Sequence, residues 1–174
     1  TGRLYGGDQT TRLSQELLLG IGGIRALEAL NIFPAVCHMN EGHCAFLSIE
    51  RTARIMERYH VDLKTALEIV PRSSVFTTHT PVRAGYDKFS NDLVRPCMAP
   101  FEKRLGISVD RILRWGTVPG ADTDEPFSMF ALGLRMSQYC NGVSELHGRV
   151  ARRMWSHLWP QRPEEEVPIT HVTN

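Results

Sequence analysis

Lysine is scarce in this chain. Of the 20 basic residues among 174, only Lys64, Lys88 and Lys103 are lysine; the other 17 are arginine. Set against 19 acidic residues the net charge is +1, so no basic excess draws the chain to nucleic acid or to an anionic membrane. No apolar run approaches the roughly 18 residues of a membrane span, and the start of the chain lacks the charged, apolar and small-residue succession of a signal peptide. Cysteine is sparse as well. Cys37, Cys44, Cys97 and Cys140 form no C-x-x-C pair and sit in or beside apolar segments. That pattern predicts buried free thiols in a reducing compartment, hence a cytoplasmic protein, and not a disulfide framework. Internal repeats and low-complexity tracts are also missing. What is present is ordinary globular composition, 42% apolar and 22% charged, in a length that suits one domain with a real core.

Helical and strand-like segments alternate. Leu13, Leu17, Leu18, Ile21, Ile24, Leu27 and Leu30 recur at helical spacing over 11–30. Gly20, Gly22 and Gly23 interrupt that helix and predict close packing against a neighbour. A short apolar strand is expected over 33–39, a helix over 42–59, a shorter helix capped by Asp62, and a second strand over 73–78. A turn at 80–87 leads to a helix capped by Ser90, which Pro96 and Pro100 are expected to kink or divide and Gly106 to stop. Ser108 caps a short helix, 117–126 reads as a polar loop, and 127–137 reads as helix. A third strand is expected at 139–143, an amphipathic helix at 144–159 and a final strand at 167–172. The alternation predicts an α/β fold, a Rossmann-like parallel sheet with helices on both faces. The chain begins at Thr1, not Met, and stops at Asn174 straight after a strand-like segment, which predicts an internal piece of a longer protein.

In parallel sheets ligands bind beyond the carboxyl ends of the strands. The four expected strands end in Asn40-Glu-Gly-His43, His79-Thr80, Asn141-Gly-Val143 and His171-Val-Thr-Asn174. Asn and His both donate and accept hydrogen bonds without a fixed charge, which equips the strand exits for the neutral hydroxyls of a sugar. Other readings fare worse. Gly20-Ile-Gly-Gly23 has Arg25 where a dinucleotide motif needs its third glycine, and it lies inside a helix. Cys37, His38, His43, Cys44 and His60 lack zinc-ligand spacing, so no metal is expected. Cys44 as a nucleophile is opposed by its apolar flank Ala45-Phe-Leu47. Trp155 and Trp159, at i and i+4, read as core or interface.

Taken together, Leu4-Tyr-Gly-Gly-Asp8, Arg12-Leu-Ser-Gln-Glu16, Cys37-His-Met-Asn-Glu-Gly-His43, Val75-Phe-Thr-Thr-His-Thr-Pro81, Asn141-Gly-Val143 and His171-Val-Thr-Asn174 resemble the glycogen/starch (α-glucan) phosphorylases. The likeness is collinear along the chain and strongest to the short bacterial and archaeal type.

The resemblance implies that residues 1–174 are part of the N-terminal, glucan-side domain of a two-domain GT-B glycosyltransferase, with the C-terminal cofactor-binding domain absent. It implies an enzyme that transfers a terminal α-1,4-linked glucose to phosphate, giving glucose 1-phosphate. Its cofactor is pyridoxal 5'-phosphate, whose lysine falls outside this segment. By the same resemblance His79 is the catalytic-site histidine that contacts the transferred glucose, and Asn174, Val143, His43 and Glu41 are substrate-binding. Asn40 and Asn141 stand beside them, and Asp8 lies on the loop that gates the site. The implied partners are α-1,4-glucan, phosphate and the missing domain of the same chain, with no nucleic acid and no membrane; a homo-oligomer is left open. The segment alone is expected to be inactive. Two other readings stay open: a sugar-nucleotide-dependent glucan synthase of the same fold, and a non-catalytic sugar-binding α/β module.

Overall fold

A computed structural model of the chain describes residues 8–81, 86–120, 122 and 124–174. Residues 4–7 of the first motif above, and 82–85 of the turn expected at 80–87, lie outside the described residues. Four strands, β1 (Cys37–Asn40), β2 (Ser74–Thr78), β5 (Tyr139–Gly142) and β6 (Ile169–His171), form one sheet in the order β1-β2-β5-β6, every neighbouring pair parallel. Two short strands that the sequence pattern did not reveal, β3 (Lys88–Phe89) and β4 (Phe127–Ser128), pair antiparallel in a second small sheet. The strand order follows the chain order, and the parallel α/β class is the one expected.

The side-chain period of two sets the two faces apart. Cys37, Met39, Ser74, Phe76, Cys140 and Ile169 are buried on one face. Helices α3 (Leu47–Tyr59) and α7 (Met129–Arg135) pack there: Ser48 Oγ reaches Met39 Sδ at 3.9 Å, and a Cβ on Gly133 would stand 2.4 Å from the Phe76 ring. Helix α8 (Glu145–Trp155) lies close on β5 and β6 because Gly142 and Gly148 carry no side chain. A Cβ on either would meet backbone atoms at 2.9 Å. The other face carries His38, Asn40, Tyr139 and Thr170, all exposed. Of the two helical layers expected, the described helices supply the one over Phe76.

Local choices explain the elements. Asp8 caps α1 (Gln9–Leu17) and Asp62 caps α4 (Leu63–Arg72), each carboxylate accepting an N–H at 2.8 Å. The helix expected over 11–30 runs as α1, a π-helical turn at Leu18–Gly22 and α2 (Gly23–Ala29). Gly20 meets the predicted close approach, since a Cβ there would lie 2.8 Å from Leu47 N; Gly23 has nothing within 4 Å. Helix α5 (Asn91–Leu105) does not divide at Pro96 and Pro100. Both prolines are exposed, and so are Asp92 and Pro96, whose carbonyls lose their helical donors. Water can serve those carbonyls, so the helix continues. Gly106 ends it at φ 68°. Helix α6 (Val109–Leu113) begins at the Ser108 cap. The helix expected over 127–137 opens instead with β4, because Phe127 pairs opposite Phe89.

The core centres on Phe46, Phe76, Phe127, Phe130, Met39 and Ile49, all at most 1% exposed. Phe76 meets Phe130 edge-on at 4.9 Å, and Phe130 stacks on Trp155 at 4.2 Å, which places Trp155 in the core as expected. Buried charge is tied into this packing. Glu50 of α3 has a fully buried side chain and takes hydrogen bonds from Arg25 (3.0 Å), Arg54 (2.8 Å) and Arg104 (2.9 Å), tying α2, α3 and α5 together. Burial alone would raise its pKa, but the bonds from Arg104, Arg25 and Arg54 outweigh it and bring the carboxyl to about 2.

Candidate functional site

Parallel strands bring their carboxyl ends to one rim, and register decides which residues stand side by side. Asn40 lies opposite Thr77, Thr77 opposite Asn141, and Asn141 opposite Thr170. Each strand therefore contributes one polar residue to a row across the open face at the rim. The row is wired together. Thr77 Oγ1 donates to Asn141 Oδ1 at 3.0 Å, and His38 Nε2 lies 2.7 Å from the same hydroxyl. A hydroxyl has one proton, so the network assigns the proton of this second bond to His38 Nε2.

Beyond the row, His79 Nε2 is 2.6 Å from Asn40 Oδ1. An amide oxygen only accepts, so Nε2 carries the proton and a neutral His79 ring keeps Nδ1 as an acceptor. Glu41 follows Asn40 with φ 63° and ψ −172°, a region that favours glycine. Its Oε1 accepts the N–H of His79 at 2.5 Å, the N–H of Thr80 at 2.8 Å and the hydroxyl of Thr78 at 3.3 Å. Gly42 lets this turn press on α7: a Cβ there would lie 3.0 Å from Phe130 N.

On the far side of the rim, Val143 N–H donates to His147 Nδ1 at 3.3 Å, and Val143 O accepts Asn174 N–H at 3.4 Å. Asn174 thus sits beside the exit of β5, while both main-chain polar groups of Val143 are engaged within the chain. Asp8 is the exposed cap of α1, with its carboxylate on Thr11 N–H.

His43 joins a second cluster that the strand-exit reasoning missed. Arg12 Nη2 lies 2.9 Å from Glu16 Oε1 and 2.6 Å from Asp87 Oδ2, and His43 Nδ1 lies 3.2 Å from Asp87 and 3.6 Å from Glu16. Arg12 and Glu16, four apart on α1, share a helix face; nothing in the sequence marks Asp87, which a loop delivers. Burial pushes the Glu16 carboxyl up to about 7. Hydrogen bonds to Asp87 and Glu16 raise the His43 imidazole to about 9. Asp87, which burial alone would raise, is held below the usual carboxylate range by its bonds with His43, Glu16 and Arg12. Because His43 binds its proton more tightly in the fold than the ordinary value of 6.5, its contribution to stability is complete below that pH and fades as pH rises through about 9. Glu16 acts in the same direction at lower pH. Thermal unfolding followed from pH 6 to pH 9.5 should show a falling midpoint, and His43→Gln should flatten that fall.

Glu16, His43 and Asp87 bring three ligand atoms within 4.8 Å of one another. Arg12 Nη2, within 3.4 Å of all three side chains, holds the place a cation would need, and its charge opposes one. The four cysteines are free, and burial raises the Cys44 thiol to about 11, which opposes a thiolate nucleophile.

Comparison with known proteins found no matching family model. Among individual proteins, the chain is 46% identical over its whole length to a glycogen phosphorylase of Mycobacterium tuberculosis, covering 21% of that protein. It is 43% identical over 98% of its length to a maltodextrin phosphorylase of Thermococcus litoralis, covering 20% of it. A glycogen phosphorylase of Aquifex aeolicus is 34% identical over 99% of the chain, with 24% of that protein covered. The chain thus spans between a fifth and a quarter of the length of these curated relatives. Identity of this extent makes the chain a homologue of one segment of the glycogen and maltodextrin phosphorylases.

Proposed function

We propose that this chain forms one wall of the glucan site of an α-glucan phosphorylase, a glycosyltransferase of GT-B architecture. In that reaction the bond from the anomeric carbon of the terminal glucose to O4 of the next residue breaks. A phosphate oxygen bonds to the anomeric carbon, and O4 leaves with a proton. Charge develops at the anomeric carbon on the way, so the protein's task is to grip hydroxyl groups and to place dipoles.

The observation that carries this reading is the Asn40–His79 hydrogen bond at the joined exits of β1 and β2. It fixes the His79 ring and commits Nε2, leaving Nδ1 to accept from a sugar hydroxyl. The His79 carbonyl, at the same point of the chain, would offer its partial negative charge to the developing cation. Asn141 and Asn174 extend the same neutral chemistry along the rim.

Pyridoxal 5'-phosphate, which the phosphorylase reading implies, needs a lysine to hold it. Lys64, Lys88 and Lys103 are all exposed, and Lys88 is paired with Glu125 at 3.6 Å. None of the three is enclosed, as a lysine that holds this group would be, so the residues of this chain do not fit it. On this reading the cofactor and the grip on phosphate belong to a second domain across the cleft, and the chain by itself is inactive.

The test is calorimetric titration with maltopentaose of the full-length protein that contains this segment, together with its phosphate-dependent release of glucose 1-phosphate from maltodextrin. Loss of one hydroxyl contact in His79→Ala should weaken maltopentaose binding by roughly tenfold. Undiminished binding in that variant, or no binding by the parent, would refute the proposal.

A further inference from the structure

Glu41 touches four successive residues at the exit of β2. Its N–H donates to Thr77 O at 2.9 Å, and its Oε1 accepts from the Thr78 hydroxyl, His79 N–H and Thr80 N–H. A carboxylate oxygen has two lone pairs, so three donors saturate Oε1. The residue is buried and sits at positive φ, where a side chain other than glycine's is strained. A buried, strained residue whose carboxylate oxygen is already filled is poorly placed to bind a hydroxyl with that oxygen and well placed to fix backbone.

Resting on the carbohydrate reading above, we infer that Glu41 is a positioning residue that serves the sugar site through His79. Asn40 holds the His79 ring and Glu41 holds its main chain, so two consecutive residues of β1's exit lock one histidine of β2's exit. Gly42 and the α7 backbone behind it leave the turn no room to retreat. The carbonyl and ring of His79 then stand fixed before a ligand arrives, which lowers the ordering cost of binding.

The inference separates from the carbohydrate reading by experiment. In Glu41→Ala, amide hydrogen exchange at His79 and Thr80 should quicken by about tenfold to a hundredfold, as expected for removing a charged acceptor. Glu41→Gln, which keeps one acceptor oxygen without the charge, should fall between this variant and the parent. Glu41→Gly adopts φ 63° without strain and serves as the control that still makes the turn, and it should show the same fast exchange. In maltodextrin phosphorolysis by the full-length protein that contains this segment, Glu41→Ala should lower kcat more than it alters KM. Unchanged exchange at His79 and Thr80 would overturn the inference, as would a pure rise in KM with exchange preserved, the signature of a direct sugar contact. A full-length parent protein that neither binds nor turns over maltodextrin would overturn the carbohydrate reading alone, and the exchange rates would still decide whether Glu41 locks His79.

Discussion

Replacing Phe76 by alanine is expected to lower the free energy of unfolding by about 3–5 kcal/mol. Phe76 is fully buried on β2, a central strand of the four-stranded sheet, with its ring against Phe130 and against the bare backbone of Gly133. Its removal empties the meeting point of sheet and α7, and the neighbours cannot collapse freely, because Phe130 is itself stacked on Trp155. A domain's whole stability is only about 5–15 kcal/mol, so the variant should be near the limit of folding at 37 °C. Urea unfolding measures the effect; a loss under about 1 kcal/mol would mean that the ring is not where the core is centred. The fit also runs the other way. Gly133→Ala pushes a methyl into the Phe76 ring, and Phe76→Leu in the same chain should relieve part of that cost, a coupling that a double-mutant cycle would read.

Glu50→Ala is expected to cost about 2–4 kcal/mol. The carboxylate lies in the interior, but its three arginines are partly exposed, with Arg25 52% and Arg104 22% accessible, so water can recover some of what they lose. The same group sets the response to acid. Its pKa in the fold is about 2, below the ordinary 4.5. The stability it supplies is therefore complete above pH 4.5 and is withdrawn as pH falls toward 2. Acid titration of the parent should show this loss, and Glu50→Gln should show less of it.

The sequence carries the sheet because strand and helix periods differ so plainly, and because Ser73 to Thr78 and Tyr139 to Val143 are short β-rich runs between capped helices. It misplaces boundaries where tertiary contacts decide. Phe127 and Phe89 pair in a two-residue sheet that no alternation announces, and Pro96 and Pro100 stay helical because the carbonyls they orphan, of Asp92 and Pro96, face water. The site divides in the same way. Asn40, His79, Asn141 and Asn174 can be chosen from the strand exits alone. The Arg12–Glu16–His43–Asp87 cluster cannot, because it depends on a loop residue 75 positions from Arg12. Glu41 is visible as a residue, but its engagement with the chain at 77–80 depends on a left-handed turn that composition does not encode.

The order of the strands has one more consequence. Since β1, β2, β5 and β6 stand in the sheet as they follow in the chain, every strand after the first docks on an edge that earlier residues have already finished. None has to wedge between two strands that are paired. A ribosome releasing this polypeptide from its N-terminus could see the sheet widen stepwise, each addition using only residues that have already emerged.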